Sequence, residues 1–284
     1  MATTFRISLH AESKEQAEAA ADAAFKRIAA LNAVCSDYEP NSELMRLVNT
    51  GPHLPFRASD DLFTIITRAL ELSRLTDGAF DITCGNLSHL WRRTRRLKKL
   101  PPADRLQQAL AATDWRAVQL DANAHTITLL KPGMLLDLGG IAKGYAADAA
   151  LRVLRDLGLA RALVIAGGDI AIGDPPPGTD AWDIKLRQFT KPSPEEDLVT
   201  VRLHNCAVST SGDLYQFTEI DGVRYSHIVS PKTGLGLTER IACSVIAPDA
   251  TTSDALATAM CVMGKKRGTD VAAQIQGVTA RFAP

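Results

Sequence analysis

No apolar run in this chain reaches the roughly 20 residues that a membrane-spanning helix needs, so no transmembrane segment is expected. An excess of charge is also missing, since 32 Lys and Arg balance 32 Asp and Glu. Without an overall basic field, nucleic acid is not an expected partner. Cysteine is sparse. Cys35, Cys84, Cys206, Cys243 and Cys261 are odd in number and scattered, and they form no Cys-x-x-Cys pair. That spacing argues against zinc clusters and dithiol chemistry. Four of them sit in apolar stretches and read as small hydrophobes, while Cys84 follows Phe80-Asp81 and falls near whatever those residues bind. Internal repeats and low-complexity tracts are absent. The local exception to the charge balance is Arg92-Arg93-Thr94-Arg95-Arg96-Leu97-Lys98-Lys99. It reads first as a solvated helix end and second as a contact for an acidic partner protein.

What is present is an ordinary globular composition, 46% apolar over 284 residues. Residues 5–10 alternate as a strand. Ser13 predicts an N-cap, with Gln16 as its capping-box partner, for a helix running to about residue 34. Phe25, Ile28, Leu31 and Val34 form its expected buried stripe. Further helices are predicted over 60–75, 86–97, 103–112, 141–157 and 252–263. Strands are predicted over 117–120, 126–130, 134–138 and 162–166, and most of 182–246 reads as β, with turns at Asp221-Gly222 and Lys232-Thr233-Gly234. Residues 188–197 read as a surface excursion. Helices and antiparallel strands come in blocks, which predicts an α+β fold. We expect one domain over 1–284, with two lobes, a mixed or antiparallel sheet and packed helices.

The chemistry begins at Asp137-Leu138-Gly139-Gly140-Ile141-Ala142-Lys143-Gly144-Tyr145-Ala146. Its glycines permit close backbone approach, a helix start offers free N–H groups, and Lys143 adds a cation. The spacing is that of neither a P-loop nor a dinucleotide fingerprint. It reads either as a phosphate site or as a plain strand-to-helix turn. Asp254 and Thr258, four apart on a predicted helix, place two hard oxygens on one face, as Mg²⁺ prefers; an ordinary helix start is the other reading. His227 stands at a strand end before a tight turn, where it is either structural or a base.

These blocks, with Thr76-Asp77-Gly78-Ala79-Phe80-Asp81, Gly167-Gly168-Asp169, Val208-Ser209-Thr210-Ser211-Gly212-Asp213 and Tyr225-Ser226-His227-Ile228-Val229-Ser230, resemble in order and composition the ApbE flavin transferase family, the FAD:protein FMN transferases. The resemblance runs to about Gly264. It implies Mg²⁺-dependent transfer of FMN from FAD to a Thr or Ser hydroxyl of a client protein, with release of AMP. It implies catalytic roles for His227 and Lys143, and Mg²⁺ contacts from Gly140, Asp254, Ala257 and Thr258. Flavin contacts are implied for Met1, Tyr38, Ala79, Phe80, Asp81, Asp137, Lys143 and Ile228. The client motif it implies is Asp-x-x-Thr-x-Ala-Thr, which Asp249-Ala250-Thr251-Thr252-Ser253-Asp254 matches only at its start, so self-modification is not expected. An FAD pyrophosphatase yielding FMN and AMP is the alternative enzyme, and a non-catalytic flavin-binding protein the alternative class. The sequence departs from the family at Ser230, where Asp is usual, and at Asn49, one residue later than usual. Ala2 stands where the family's first block has glycine. Residues 1–10 read as a strand rather than a leader, and the resemblance implies a chain trimmed of an export segment, with a cytoplasmic start at Met1 as the other reading.

Overall fold

The computed structural model describes residues 3–187, 197–213 and 216–283. Met1 and most of the expected excursion over 188–197 lie outside them. The chain opens with β1 (Phe5–Leu9), α1 (Lys14–Cys35), α2 (Glu43–Thr50), β2 (Phe56–Arg57) and α3 (Asp60–Leu75). It continues through α4 (Gly85–Leu97), α5 (Ala103–Ala111), β3 (Val118–Asp121), β4 (Thr126–Leu129) and α6 (Ala142–Asp156). Then come β5 (Ala162–Ala166), β6 (Asp169–Ile172), β7 (Trp182–Arg187), β8 (Leu198–Leu203) and β9 (Cys206–Gly212). The last elements are β10 (Phe217–Ile220), β11 (Val223–Ser226), β12 (Ala242–Ala247), α7 (Ala250–Ala272) and β13 (Thr279–Ala283).

Caps explain why the helices start where they do. Ser13 Oγ accepts from Gln16 N, Ser42 Oγ from Met45 N, and Ser59 Oγ from Leu62 N. The Gln16 side chain reaches back to Glu12 N rather than to the cap residue, a capping box shifted by one. The stripe expected on α1 is corrected. Phe25 is 42% exposed, and the buried positions are Ala20, Ala24, Ile28, Leu31 and Cys35. Their steps of four and three follow the 3.6-residue turn, whereas a constant step of three drifts off the face. The sequence reading did not find α2, because Glu43 reads as loop. Its carboxylate instead turns inward to accept from Ser59 N and Ser59 Oγ, both at 2.6 Å, tying α2 to the start of α3. The strand expected over 134–138 is an extended run with one parallel bridge, Cys84 to Leu135, rather than a ladder.

The framework is an antiparallel six-stranded sheet in the order β1-β5-β6-β9-β12-β13. Helices α6 and α7 cover one face, and α1 packs outside α6. Leu163, Ile172 and Val208 on the sheet cluster with Ile184 and Leu186 of the β7–β8 hairpin. A second group, α2 to α5 with the small sheet β2-β4-β3, joins the first through one apolar cluster running from Leu62, Ile65 and Ile127 to Val245, Leu256 and Met260. Each such buried aliphatic contributes about 1.5–3 kcal/mol, so the two parts are held together by a shared interior. The expected Asp221-Gly222 turn joins β10 to β11, with φ of 50° and 76° at its centre, as a two-residue hairpin requires.

The start of α7 fixes the rest. Asp249 caps it by accepting from Thr252 N, while Asp148 of α6 accepts from Ala250 N and Thr251 N. Helices α6 and α7 therefore meet at their N-terminal halves, with backbone against backbone at Gly144. A Cβ placed on Gly144 would lie 2.0 Å from the Ala250 carbonyl oxygen. Gly144→Ala is expected to force the helices apart and cost at least about 1–3 kcal/mol. A urea midpoint equal to that of the unaltered chain would show that the crossing relaxes freely.

Candidate active site

The α6–α7 crossing delivers Lys143 and Asp254 to one point. Lys143 Nζ lies 2.8 Å from both Asp254 oxygens and 3.2 Å from the Gly139 carbonyl oxygen. Gly144 N donates to Asp254 Oδ2 at 3.1 Å, so one N-terminal amide of α6 serves this carboxylate rather than standing free for phosphate. Asp169, where β6 begins, brings Oδ2 to 3.0 Å from the same ammonium but outside hydrogen-bonding alignment, leaving that buried oxygen without a hydrogen bond. Burial opposes the charge on Lys143, but Asp254 and Asp169 outweigh it and raise its pKa. Burial and the Asp254 charge push the Asp169 carboxyl up, with Lys143 partly opposing.

Beside this cluster the oxygen donors are hard. Thr258 Oγ1 lies 3.2 Å from Ser211 Oγ, and a Cβ on Gly140 would stand 3.6 Å from Thr258 Oγ1. Carboxylates, hydroxyls and a glycine leaving space before them suit Mg²⁺, and the Asp169 carboxylate stands beside them on Lys143. Among the described residues no three of His, Cys, Asp and Glu converge, so any cation site here uses mixed donors. Ala257 is fully buried and packs in the apolar core, so only its backbone carbonyl has the chemistry of a ligand.

A cleft of about 570 Å³ opens in front of this point, and the expected residues Tyr38, Ala79, Phe80, Asp81, Asp137 and Ile228 line it. Arg92 of α4 donates to Asp37 at 2.8 Å and to Asp137 at 3.2 Å, and its guanidinium lies 4.7 Å from the Tyr38 ring centre. That stack gives one wall a broad, planar, partly exposed surface. Asp137 Oδ1 accepts from Gly139 N at 2.8 Å and so shapes the glycine turn. Asp81 accepts from Thr83 N, Thr83 Oγ1 and Trp115 N, so it also holds a turn; burial raises its pKa. Cys84 lines the cleft, and burial pushes its thiol well up, which disfavours the thiolate.

His227 follows β11 and lines the same cleft. Its strand is pinned by Trp91 of α4, whose Nε1 donates to Ser226 O at 2.9 Å and whose ring meets Tyr225 edge-on at 5.5 Å. The imidazole Nδ1 stands 3.2 Å from the Gln216 carbonyl oxygen. A carbonyl can only accept, so Nδ1 carries the hydrogen and Nε2 keeps its lone pair. Burial, then the charge of Arg95, lower the pKa. The ring is thus neutral at neutral pH and able to take a proton. Arg92, Arg95, Asp169 and Gln216 were given no role in the site from the sequence. The Gly-Gly-Asp block was the one signal that could have found Asp169, and the arginines were hidden in a run that reads as solvated.

A neutral histidine, a lysine held between carboxylates and a glycine turn thus share one cleft. Comparison with known proteins gives the class. The ApbE family model matches residues 1–282. The FAD:protein FMN transferase of Treponema pallidum is 33% identical over 281 residues, covering 94% of this chain and 77% of that protein. Its counterpart from Vibrio cholerae is 33% identical over 247 residues, covering 85% and 72%. Among solved structures, the flavin transferase ApbE from Vibrio cholerae superposes with a TM-score of 0.84 at 30% identity, covering 99% of this chain and 89% of that one. The ApbE protein of Thermotoga maritima gives 0.85 at 31%, covering 98% and 90%. The chain belongs to the ApbE family, and the expected α+β fold is the one found.

Lys143→Ala is expected to leave Asp254 and Asp169 facing each other without a cation. A carboxyl whose folded pKa is raised above its unfolded value of about 3.9 binds its proton more tightly when folded. Stability is then kept below that unfolded value and lost as pH rises through the raised one. The loss near pH 7 is expected to be about 3–5 kcal/mol, shrinking toward about pH 5. Urea midpoints that do not change with pH over this range would remove the charge cluster from the account.

Proposed function

We propose that the chain transfers FMN from FAD to a threonine or serine hydroxyl of a client protein, releasing AMP. Family membership and the shared name of its relatives support the reading. The single structural observation behind it is His227, neutral and with Nε2 unprotonated, in the same cleft as the Gly139–Lys143 turn. Tyr38 and Arg92 offer a planar wall to the flavin, and Phe80 stands 3.3 Å from where a Gly140 side chain would be, narrowing the passage to the turn. The pyrophosphate lies by Gly139, Gly140 and Lys143. The incoming hydroxyl gives its proton to His227 Nε2 while its oxygen bonds the phosphorus on the FMN side. The bond from that phosphorus to the bridging oxygen breaks, and AMP departs with the oxygen. Lys143 meets charge developing on the phosphate oxygens. Asp254 and Thr258, with the Gly140 and Ala257 carbonyls, are the residues that would hold Mg²⁺, whose chemistry when bound is to neutralise pyrophosphate charge. The client carries a segment resembling Asp-x-x-Thr-x-Ala-Thr.

His227→Ala is expected to slow transfer about 10²–10⁴-fold while FAD affinity, by titration, moves far less. Because the pKa of His227 is lowered, activity in the unaltered chain should hold as pH falls to about 6.5 and drop only below it. Transfer to a Thr-containing peptide near the unaltered rate would remove His227 as the base. FMN and AMP formed equally fast with and without acceptor would make the chain a pyrophosphatase instead.

Asp254→Asn is expected to raise the Mg²⁺ concentration needed for half-maximal AMP release by at least about tenfold, the low end of what losing even an outer-shell partner costs. An unchanged requirement would take Asp254 out of the metal site.

A further inference from the structure

No acidic residue stands between Asp81 and Asp104, a stretch that contains all the cations of the 92–99 run. The fold divides those cations. Arg92 is neutralised by Asp37 and Asp137. Arg93, Arg96, Lys98 and Lys99 are exposed, and none has an ion pair or a side-chain hydrogen bond among the described residues. Arg95 also lacks a partner among the described residues, and it lines the cleft near His227. Leu97 and Leu100, in the same corner, are 56% and 36% exposed.

A helix dipole favours cations in the last turn. It does not require two leucines in solvent beside them, nor an unpaired arginine inside the adjoining cleft. The buried and half-buried cations Arg27, Lys143 and Arg224 are paired, with Asp61, Asp254 and Asp213, so a half-buried Arg95 without a partner among the described residues stands apart from them. Unpaired charge with exposed leucines fits an acidic polypeptide carrying apolar side chains, where charge steers encounter and apolar contact holds it. A nucleic acid or lipid surface would use the charge but not the continuity with the cleft.

We infer that the C-terminal end of α4 docks an acidic segment of the acceptor protein, so that its hydroxyl enters the cleft past Arg95 toward His227. The inference rests on the transferase reading. The test uses two peptides of equal length carrying Asp-x-x-Thr-x-Ala-Thr, one flanked by Asp, Glu and Leu, the other by Ser and Asn. The full chain is compared with Arg93→Glu/Arg96→Glu/Lys99→Glu and with the neutral Arg93→Gln/Arg96→Gln/Lys99→Gln, which keeps the test should reversal unsettle the helix end. The unaltered chain is expected to show a KM about tenfold lower for the acidic peptide, with the preference shrinking as salt rises from about 50 to 300 mM. The glutamate variant is expected to lose the preference and the glutamine variant to weaken it, both with FAD affinity unchanged. Equal KM values for the two peptides, or a preference that survives charge reversal, would overturn the docking surface alone. No flavin transferred to either peptide by the unaltered chain would overturn the transferase reading and the acceptor role with it. Anionic phosphatidylserine vesicles bound by the unaltered chain but not the variants, without any peptide preference, would assign the patch to a membrane.

Discussion

The crossing of α6 and α7 at Gly144 is the constraint on which the site depends. With no side chain at that position, the backbones come close enough for Asp254 to reach both Lys143 and the Gly144 amide. Neither partner is stable there alone. A buried lysine without a carboxylate would shed its proton, and two buried carboxylates without a cation would not both stay ionised. The cluster is mutually supporting only while the helices touch. The two aspartates capping the start of α7, Asp148 and Asp249, set the helix phase that makes this possible.

Charge in the cleft is distributed by neighbour rather than by residue type. Lys143 is held ionised by carboxylates, Arg92 is divided between Asp37 and Asp137, and His227 is kept neutral by burial and by Arg95. The cleft therefore holds carboxylate-paired cations and an imidazole with a free lone pair. Trp91 connects the two, because the helix that carries Arg92 and Arg95 also holds the strand that leads to His227. A shift of α4 would disturb the Arg92–Tyr38 stack and the strand leading to His227 together.

Much of the architecture was legible in the sequence because it is written in short-range rules. The helix at 60–75 and the strand at 162–166 were found to the residue, since cap, periodicity and breaker all lie within the segment. The Asp221-Gly222 turn was legible for the same reason. What failed depended on distant partners. Glu43 looks like a loop residue until Ser59 gives its carboxylate a reason to be buried. Residues 134–138 look like a strand until no ladder forms beside them. Phe25 failed for a local reason instead, because a constant step of three misreads the helical phase that turns it outward.

The same division applies to the site. By itself, the sequence determined that glycines stand beside Lys143, that Asp254 and Thr258 share a helix face, and that His227 precedes a turn, because each is a matter of local spacing. Only the tertiary structure decided that Lys143 meets Asp254 across 111 residues, or that Arg92 meets Asp137 across 45. It alone made Asp169 a third member of the cluster and left Arg95 without a counter-charge among the described residues. Protonation states follow from those meetings, since burial and neighbouring charge, not residue identity, set a pKa. A one-dimensional pattern holds the ingredients of the chemistry, and the packing of α6 on α7 decides which of them interact.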